Sequence, residues 1–177
     1  YSTFHIFNIQ NSEIVAEYQG KPTPDVFAEI LHQTGKEYGE CMLVVENNSV
    51  GWGVLTRLQD LGYGKLYYSK KYSHEHVEPH LSESAGVVPG FTTSSKTRPL
   101  TISKLEELIR NKLITIKSKR LFNEMKTFVW ENGRPQAMKK HNDDLIMACA
   151  IGCWVRDTAL VENQRDLEYK KAMIGSI

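Results

Sequence analysis

The sequence predicts an α/β fold in which helices cover a mixed β-sheet. Segments with strand-like patterns alternate with segments that carry apolar residues at helical spacing, in the order β-β-α-β-α-β. The run from Cys41 to Val45 is nearly all apolar, as expected of a strand buried on both faces. The chain has 177 residues, of which 41% are hydrophobic and 24% charged, and this composition is typical of one globular domain.

The first elements are a predicted hairpin and a helix. Residues 3–9 and 14–18 have the pattern of two strands joined by a short turn. Thr23 is a candidate N-cap, and Pro24 fits the first position of the helix that follows.

The middle of the chain predicts a second helix, a strand and a long loop. Asn48 and Ser49 precede the helix, and residues 66–68 have a strand pattern. The polar stretch 70–97, which includes the cluster from His74 to His80, predicts an extended loop or a long hairpin. The apolar face of the helix comprises Val50, Val54, Leu55 and Leu58.

The last part of the chain predicts three helices, a hairpin and a polar, helical tail over residues 160–171. Ser118 is a candidate cap for a short helix, and Asn132-Gly133 is a strong signal for a tight hairpin turn. The helix predicted from Asn142 to about Thr158 is apolar nearly all round, so we expect it to be buried. The helix before these opens at Thr101 and has Leu105, Leu108 and Ile109 on its inner face.

Charge, hydropathy and cysteine content exclude some classes of function. The net charge of +1 gives no global sign of nucleic-acid binding, although a local basic patch is compatible with it. No apolar run reaches the ~18 residues of a membrane span, so we expect no membrane association. The three cysteines lack a CxxC spacing, which argues against a zinc site and favours reduced, buried thiols.

Acidic residues stand where a metal-dependent nuclease would need them. Glu46 ends the apolar strand, and Asp143-Asp144 stand at the start of the buried helix. A strand end and a helix start can meet at one rim of a sheet, where carboxylate oxygens suit Mg²⁺ and phosphate chemistry. His141, three residues before Asp144, is a candidate base or phosphate-contacting group. Helix capping and surface exposure are the alternative explanations for these residues.

Three segments together resemble the nuclease domain of the large terminase subunit of tailed phages. They are Val44-Val45-Glu46-Asn47-Asn48, the stretch from Gly90 to Pro99, and His141-Asn142-Asp143-Asp144. The resemblance implies a ribonuclease H-like fold over residues 1–177 and an endonuclease that cuts concatemeric double-stranded DNA during genome packaging. It also implies two Mg²⁺ or Mn²⁺ ions held by an Asp-Glu-Asp set. Glu46 matches the middle acid, and Asp144, or else Asp143, matches the third.

The first acid of that set has no match here, since Asp25 and Asp60 do not end a strand. We therefore expect a fragment that starts after the first strand, with an unpaired sheet edge that invites pairing with another chain. The resemblance implies that the whole protein also carries an ATPase motor and works with a portal and a small terminase subunit in the bacterial host cytoplasm. The phosphate-loop motif of such a motor is absent from these residues.

Four basic residues are candidates for DNA contact. Lys96 and Arg98 lie in the stretch from Gly90 to Pro99, and Lys139-Lys140 lie shortly before Asp143-Asp144. Two other functions compete with a packaging nuclease. One is a resolvase-like nuclease on the same fold, and the other is a non-catalytic ribonuclease H-like module that binds DNA or protein.

Overall fold

The protein is described here by a computed structural model, which covers residues 1–70 and 87–156. The predicted loop cluster from His74 to His80 and the predicted helical tail over residues 160–171 lie outside the described residues. Within the described part, helices and short antiparallel sheets alternate, so the α/β class is confirmed. No helix in this part is long and apolar enough to cross a membrane.

The N-terminal half begins with a hairpin and continues with two helices. Strands β1 (Ser2–Asn8) and β2 (Glu13–Gly20) are antiparallel. Helix α1 (Pro24–Glu37) begins with the predicted proline, and α2 (Val50–Asp60) follows an extended segment, residues 41–47.

The C-terminal half contains two more antiparallel pairs and three helices. Asn132 and Gly133 both have positive φ, 51° and 74°, as the predicted tight turn requires. They join β5 (Phe128–Glu131) to β6 (Arg134–Ala137). The other elements are β3 (Tyr68–Lys70), β4 (Val87–Pro89), α3 (Thr97–Arg110), α4 (Lys119–Met125) and α5, which covers 144–156.

The sheet differs from the predicted continuous mixed sheet. The described strands form three separate two-stranded antiparallel sheets. The segment 41–47 is linked to its neighbours by isolated parallel bridges, Leu43 with Leu66 and Glu46 with Phe91. Parallel and antiparallel pairing therefore both occur. The segment 41–47, which the sequence predicts as a strand buried on both faces, is hydrogen-bonded along one edge only within the described residues.

Helix α5 is the centre of the packing. Leu145, Cys149 and Cys153 are fully buried and pack with the inner faces of α3 and α4. Ile151 and Val155, on another side of the same helix, pack with Tyr67 and Phe91. This confirms the prediction of a helix that is buried nearly all round. The three cysteines are free thiols as predicted, and Cys149 and Cys153 are buried, but Cys41 is only half-buried.

A partly buried carboxylate holds the N-terminus of α5. The Glu124 carboxylate, from α4, accepts hydrogen bonds from the backbone N–H groups of Leu145 (2.9 Å) and Ile146 (3.2 Å). Burial raises the pKa of Glu124 above its ordinary value of 4.5, and these two hydrogen bonds oppose that shift. The carboxylate satisfies amide groups that the helix itself cannot pair.

Three details of the helices were predicted wrongly. Helix α3 begins at Thr97 rather than at Thr101, because Ser94 and Thr97 form a hydrogen-bonded turn that starts the helix earlier. Ile109 is 40% exposed, because the buried face of α3 is formed by Thr101, Ile102, Leu105 and Leu108 and Ile109 lies at its edge. Val50 is 58% exposed and is the first residue of α2.

Gly90 is expected to tolerate no side chain. Its φ is 83°, and an added Cβ would lie 2.5 Å from the Val45 carbonyl oxygen. Gly62 has a similar φ of 69° but open space around it. We predict that Gly62→Ala loses roughly 1–2 kcal/mol of unfolding free energy through backbone strain alone, and that Gly90→Ala loses clearly more. Urea denaturation measures both losses, and equal losses would show that the close approach to Val45 is unimportant.

Glu124→Gln is expected to change the pH dependence of stability. Because burial raises the folded pKa of Glu124, its contribution is complete below the unfolded pKa and is lost as pH rises through the folded pKa. The amide in the variant does not titrate but can still accept a hydrogen bond. The unfolding free energy of the parent should therefore fall, relative to the variant, as pH rises from below the ordinary carboxyl value of 4.5 through the raised folded pKa. Glu106→Gln, at an exposed position of α3, is the control, and a constant difference contradicts the prediction.

Candidate active site

Glu46 is positioned by alternating hydrogen bonds along the segment 41–47. Leu43 N–H donates to Lys65 O (2.9 Å), and Phe91 N–H donates to Val45 O (2.8 Å). Asn47 N–H completes the bridge by donating to Phe91 O (2.9 Å). Met42 and Val44 pack with Ile151 and Val155. Because side chains alternate along an extended segment, Glu46 lies on the same face, toward α5.

Two asparagines fix the turn that follows Glu46. The Asn47 amide is buried and donates to Pro89 O (3.0 Å). The Asn48 amide donates to Glu46 Oε1 (3.3 Å) and to Thr93 O (2.9 Å), so it links the carboxylate to the loop 90–99. Ser49 then adopts a φ of 47°, an unusual backbone conformation for a residue with a side chain. The turn after Glu46 is therefore strongly constrained.

Asp143 forms an ion pair with Arg98. The Arg98 guanidinium donates to Asp143 Oδ2 and, through Nε, to Pro135 O (2.9 Å). The backbone N–H of Ala137 also points to Asp143 Oδ2, at 3.4 Å. Both charged side chains are about one quarter exposed. The pair thus joins the starts of α3 and α5 to strand β6 in a partly desolvated setting.

Asp144 faces the start of β1. Its Oδ2 lies 3.3 Å from the amino group of Tyr1, and its backbone oxygen accepts a hydrogen bond from the Thr3 hydroxyl (2.9 Å). Its side chain is one third exposed. The two aspartates therefore have different surroundings, Asp143 beside a guanidinium and Asp144 beside the edge of a strand.

The structure brings three of the four predicted catalytic residues to one cavity. Glu46, Asp143 and Asp144 all line it, together with Arg98. His141 does not; it is exposed and lines a smaller cavity of about 320 Å³ beside Lys140 and Glu124. The short loop before α5 therefore presents His141 and the aspartates to different cavities.

The predicted DNA-contacting residues divide into two groups. Lys96, Lys139 and Lys140 are exposed and available to an external anion. Arg98 is largely occupied by Asp143 and Pro135. In sequence, Lys96 precedes Arg98 by two residues, and the two other lysines precede Asp143 by three and four. Each residue of the ion pair is thus closely preceded in the sequence by exposed lysine.

The carboxylate oxygens of Glu46, Asp143 and Asp144 suit a hard divalent cation, but they do not form a complete coordination shell. Carboxylate oxygens are the preferred ligands of Mg²⁺, which usually keeps several waters and needs only one or two protein carboxylates. Within residues 1–70 and 87–156, no three His, Cys, Asp or Glu side chains converge as a group that could hold a metal ion. The described residues therefore supply carboxylate donors of a suitable type but no assembled metal site.

Sequence reasoning missed two residues that organise this region. Glu124 caps α5 from α4, 21 residues earlier in the chain, and Asn48 holds the Glu46 carboxylate. Asn48 was assigned only to the start of α2. A strand-end Glu followed by two amide side chains was the local signal for its role, whereas nothing near Glu124 in the sequence indicated its partner.

Comparison with known proteins leaves the family open. No protein-family model matches the chain. No curated protein sequence matches it significantly.

Proposed function

We propose that this chain is a metal-dependent DNA endonuclease domain of the phage terminase type, which cuts concatemeric double-stranded DNA during genome packaging. The observation that carries the proposal is that Glu46, Asp143 and Asp144, which come from two distant parts of the chain, line one cavity. Arg98 and the exposed lysines nearby supply the positive charge that a phosphodiester substrate requires. The resemblance described above supplies the reaction class.

In this proposal, Glu46 and one of the two aspartates bind Mg²⁺ or Mn²⁺. Asn48 holds the Glu46 carboxylate in place, and Ala137 N–H and Arg98 restrain Asp143. When held by these residues, a divalent ion would supply activation of a water and charge stabilisation at the leaving oxygen of the phosphodiester. Each aspartate has a cationic neighbour, Arg98 for Asp143 and the amino group of Tyr1 for Asp144, so the proposal prefers Asp144 as the direct ligand only on the resemblance.

Arg98 has a second role in this scheme. A guanidinium beside a carboxylate compensates the negative charge, and a divalent cation at the same place does so as well. When DNA and metal bind, Arg98 can turn from Asp143 to a phosphate, which accepts its two parallel N–H groups. Lys96, Lys139 and Lys140 contribute non-directional attraction to the DNA backbone.

The surrounding fold is compatible with a ribonuclease H-like domain. Helices α1 and α2 pack on one side of the segment 41–47, and α5 packs on the other. The proposal places the domain beside an ATPase motor, with a portal and a small terminase subunit as further partners, in the bacterial host cytoplasm.

A non-catalytic module that binds DNA or protein is the second candidate. Two observations favour it: the described residues contain no three-ligand group, and Asp143 already has a cation beside it. Cleavage and metal binding distinguish the two candidates.

Replacing the acidic residues should abolish metal binding and cleavage together. We expect Glu46→Ala and Asp144→Asn each to lower Mn²⁺-dependent nicking of supercoiled plasmid by at least about a hundredfold. Mn²⁺ binding, followed by electron paramagnetic resonance, should weaken in parallel, whereas DNA binding should persist.

Glu106→Gln, which removes an exposed carboxylate on α3, is the matched control and should retain both properties. A parent chain that binds no Mn²⁺ and nicks no DNA, alone or extended upstream by about thirty residues to admit a further strand, contradicts the nuclease proposal. DNA binding without cleavage by both forms favours the second candidate.

Arg98→Ala should make stability depend on divalent cations. The substitution leaves Asp143 without its guanidinium, and we expect a loss of roughly 1–3 kcal/mol of unfolding free energy. If a metal ion occupies the same region, Mg²⁺ should restore more stability to the variant than it adds to the parent. Thermal melts with and without Mg²⁺ measure this difference. The control is Arg110→Ala, whose exposed pair with Glu106 should contribute almost nothing; equal Mg²⁺ shifts in Arg98→Ala and the parent argue against a metal beside Asp143.

A further inference from the structure

The smaller cavity, hereafter the basic cavity, lies beside the candidate site on the same loop. Lys140, His141 and Asn142 line it, whereas Asp143 and Asp144, the next two residues along the chain, line the large cavity. Its volume of about 320 Å³ is at the lower end of the range for small-molecule pockets, roughly 300–1000 Å³. The basic cavity therefore has the size for one small chemical group.

Cationic side chains from two separate elements line the basic cavity. Arg120 comes from α4, and Lys140 and His141 come from the loop before α5. Asn123 lies three residues after Arg120, so the two side chains are neighbours on the surface of α4. Among the described lining residues, Glu124 is the one carboxylate. The lining is thus positive in sign when His141 is protonated, and rich in N–H donors in either state.

Glu124 offers little to an incoming ligand, because protein donors already occupy both of its oxygens. Oε2 accepts the backbone N–H groups of Leu145 and Ile146, and Oε1 accepts the side-chain amide of Gln19 (3.3 Å). The amides at the start of α5 also compensate negative charge at this position. A ligand in the basic cavity therefore meets donors rather than a free acceptor.

The donors of the basic cavity are largely unused. Arg120 gives its Nε–H to Glu17 Oε1 (2.7 Å), and its two terminal nitrogens have no partner among the described residues. Asn123 accepts from Lys126 through its Oδ1 (3.4 Å), which leaves its N–H groups for another acceptor. The side chains of Lys140 and His141 make no hydrogen bond or ion pair within the part of the chain that the structure describes. An anion with several acceptor oxygens matches this surplus of donors.

The loop that carries the two cations is held in place by its backbone. Met138 N–H donates to Thr127 O (2.7 Å), just after α4, and His141 N–H donates to Met138 O (2.9 Å). Lys140, between these bonds, has a φ of 70°. The loop is therefore anchored to the end of α4, and this fixes its cations relative to Arg120 before a ligand arrives.

We propose that the basic cavity binds a backbone phosphate of the DNA that the candidate active site takes up. The inference rests on the proposed nuclease function and adds a residue, Arg120, and a role for His141 to it. The terminal N–H groups of Arg120 bond two phosphate oxygens in parallel, and Lys140 adds a point charge. Because phosphate contacts set the position of a duplex, this contact fixes which phosphodiester reaches Asp143 and Asp144.

The lining disfavours other classes of ligand. A metal cation would meet three basic side chains and a carboxylate whose oxygens are already hydrogen-bonded. A neutral apolar molecule would cover charged groups without pairing them, which costs free energy. An acidic peptide supplies carboxylates of the right sign, but a phosphate carries more acceptor oxygens on one centre and belongs to the substrate of the neighbouring site.

The salt dependence of DNA binding tests the proposal. Affinity for a labelled duplex is measured in EDTA over a range of KCl concentrations, so that no cleavage occurs. Arg120→Gln should weaken binding by about tenfold and reduce the slope of log K against log salt by about 0.9, the value for one lost phosphate contact. Lys117→Gln removes the same charge from an exposed lysine that does not line the basic cavity, and it should change both quantities much less.

His141→Ala is the second variant. Arg120→Gln also removes the partner of Glu17, whose side chain is only 11% exposed, so its folding is checked by cooperative thermal melting. The His141 side chain has no partner among the described residues, and its removal should leave the melt unchanged while weakening DNA binding by about threefold. If Arg120→Gln fails to fold, His141→Ala decides the outcome.

Nuclear magnetic resonance distinguishes the sources of the anion. The side-chain N–H resonances of Arg120 and Asn142 should move when the duplex is added, and inorganic phosphate should move them with a Kd in the millimolar range, about −4 kcal/mol or weaker. Resonances that respond to inorganic phosphate but not to the duplex would assign the basic cavity to a free phosphate. An equal response to an all-glutamate peptide would assign it to an acidic protein segment. Either result would overturn the proposal.

Failure of this inference is separable from failure of the nuclease proposal. A parent that nicks DNA while both variants keep its affinity and salt slope would overturn the inference alone. A parent that binds DNA without nicking it would contradict the nuclease, and the slopes of the variants would still decide whether the basic cavity holds a phosphate. A parent that binds no DNA would overturn both.

Discussion

The parallel bridge between Glu46 and Phe91 is the constraint on which the rest of the site depends. Two backbone hydrogen bonds, of 2.8 and 2.9 Å, join Val45 and Asn47 to Phe91, and the Phe91 side chain is fully buried. The bridge brings the loop after Gly90 beside the end of the apolar segment. Without it, neither Asn48 nor Arg98 would reach its partner, because both contacts depend on where that loop begins.

The bridge between Glu46 and Phe91 also helps to fix the start of α5, through the loop after Gly90 and helix α3. The loop turns through Ser94 and Thr97 into α3, and the first turn of α3 carries Arg98 to Asp143. Glu124 fixes the same end of α5 from another direction through two amide groups. The start of α5 is therefore held by a cation on one side and a carboxylate on the other. This arrangement keeps the aspartates in place although they lie between exposed residues and a buried helix.

What could be predicted from the sequence were features that depend on neighbouring residues. The proline at the start of α1, the Ser118 cap of α4, with its hydrogen bond from Leu121 N–H (2.9 Å), and the Asn132-Gly133 turn all follow from local chemistry. The burial of α5 followed from its composition. The start of α3 was misplaced because the turn that begins it looked like part of a polar loop.

Features that depend on residues far apart in the chain were not predictable in the same way. The sequence indicated that Glu46 and the aspartates could meet at one rim; they line one large cavity, but no three of the described His, Cys, Asp and Glu side chains come together as a metal-binding group. It could not indicate that Arg98 would be occupied by Asp143, or that His141 would lie beside a different cavity. Both outcomes depend on the direction of the chain over a few residues before α5, where Lys140 has a φ of 70°.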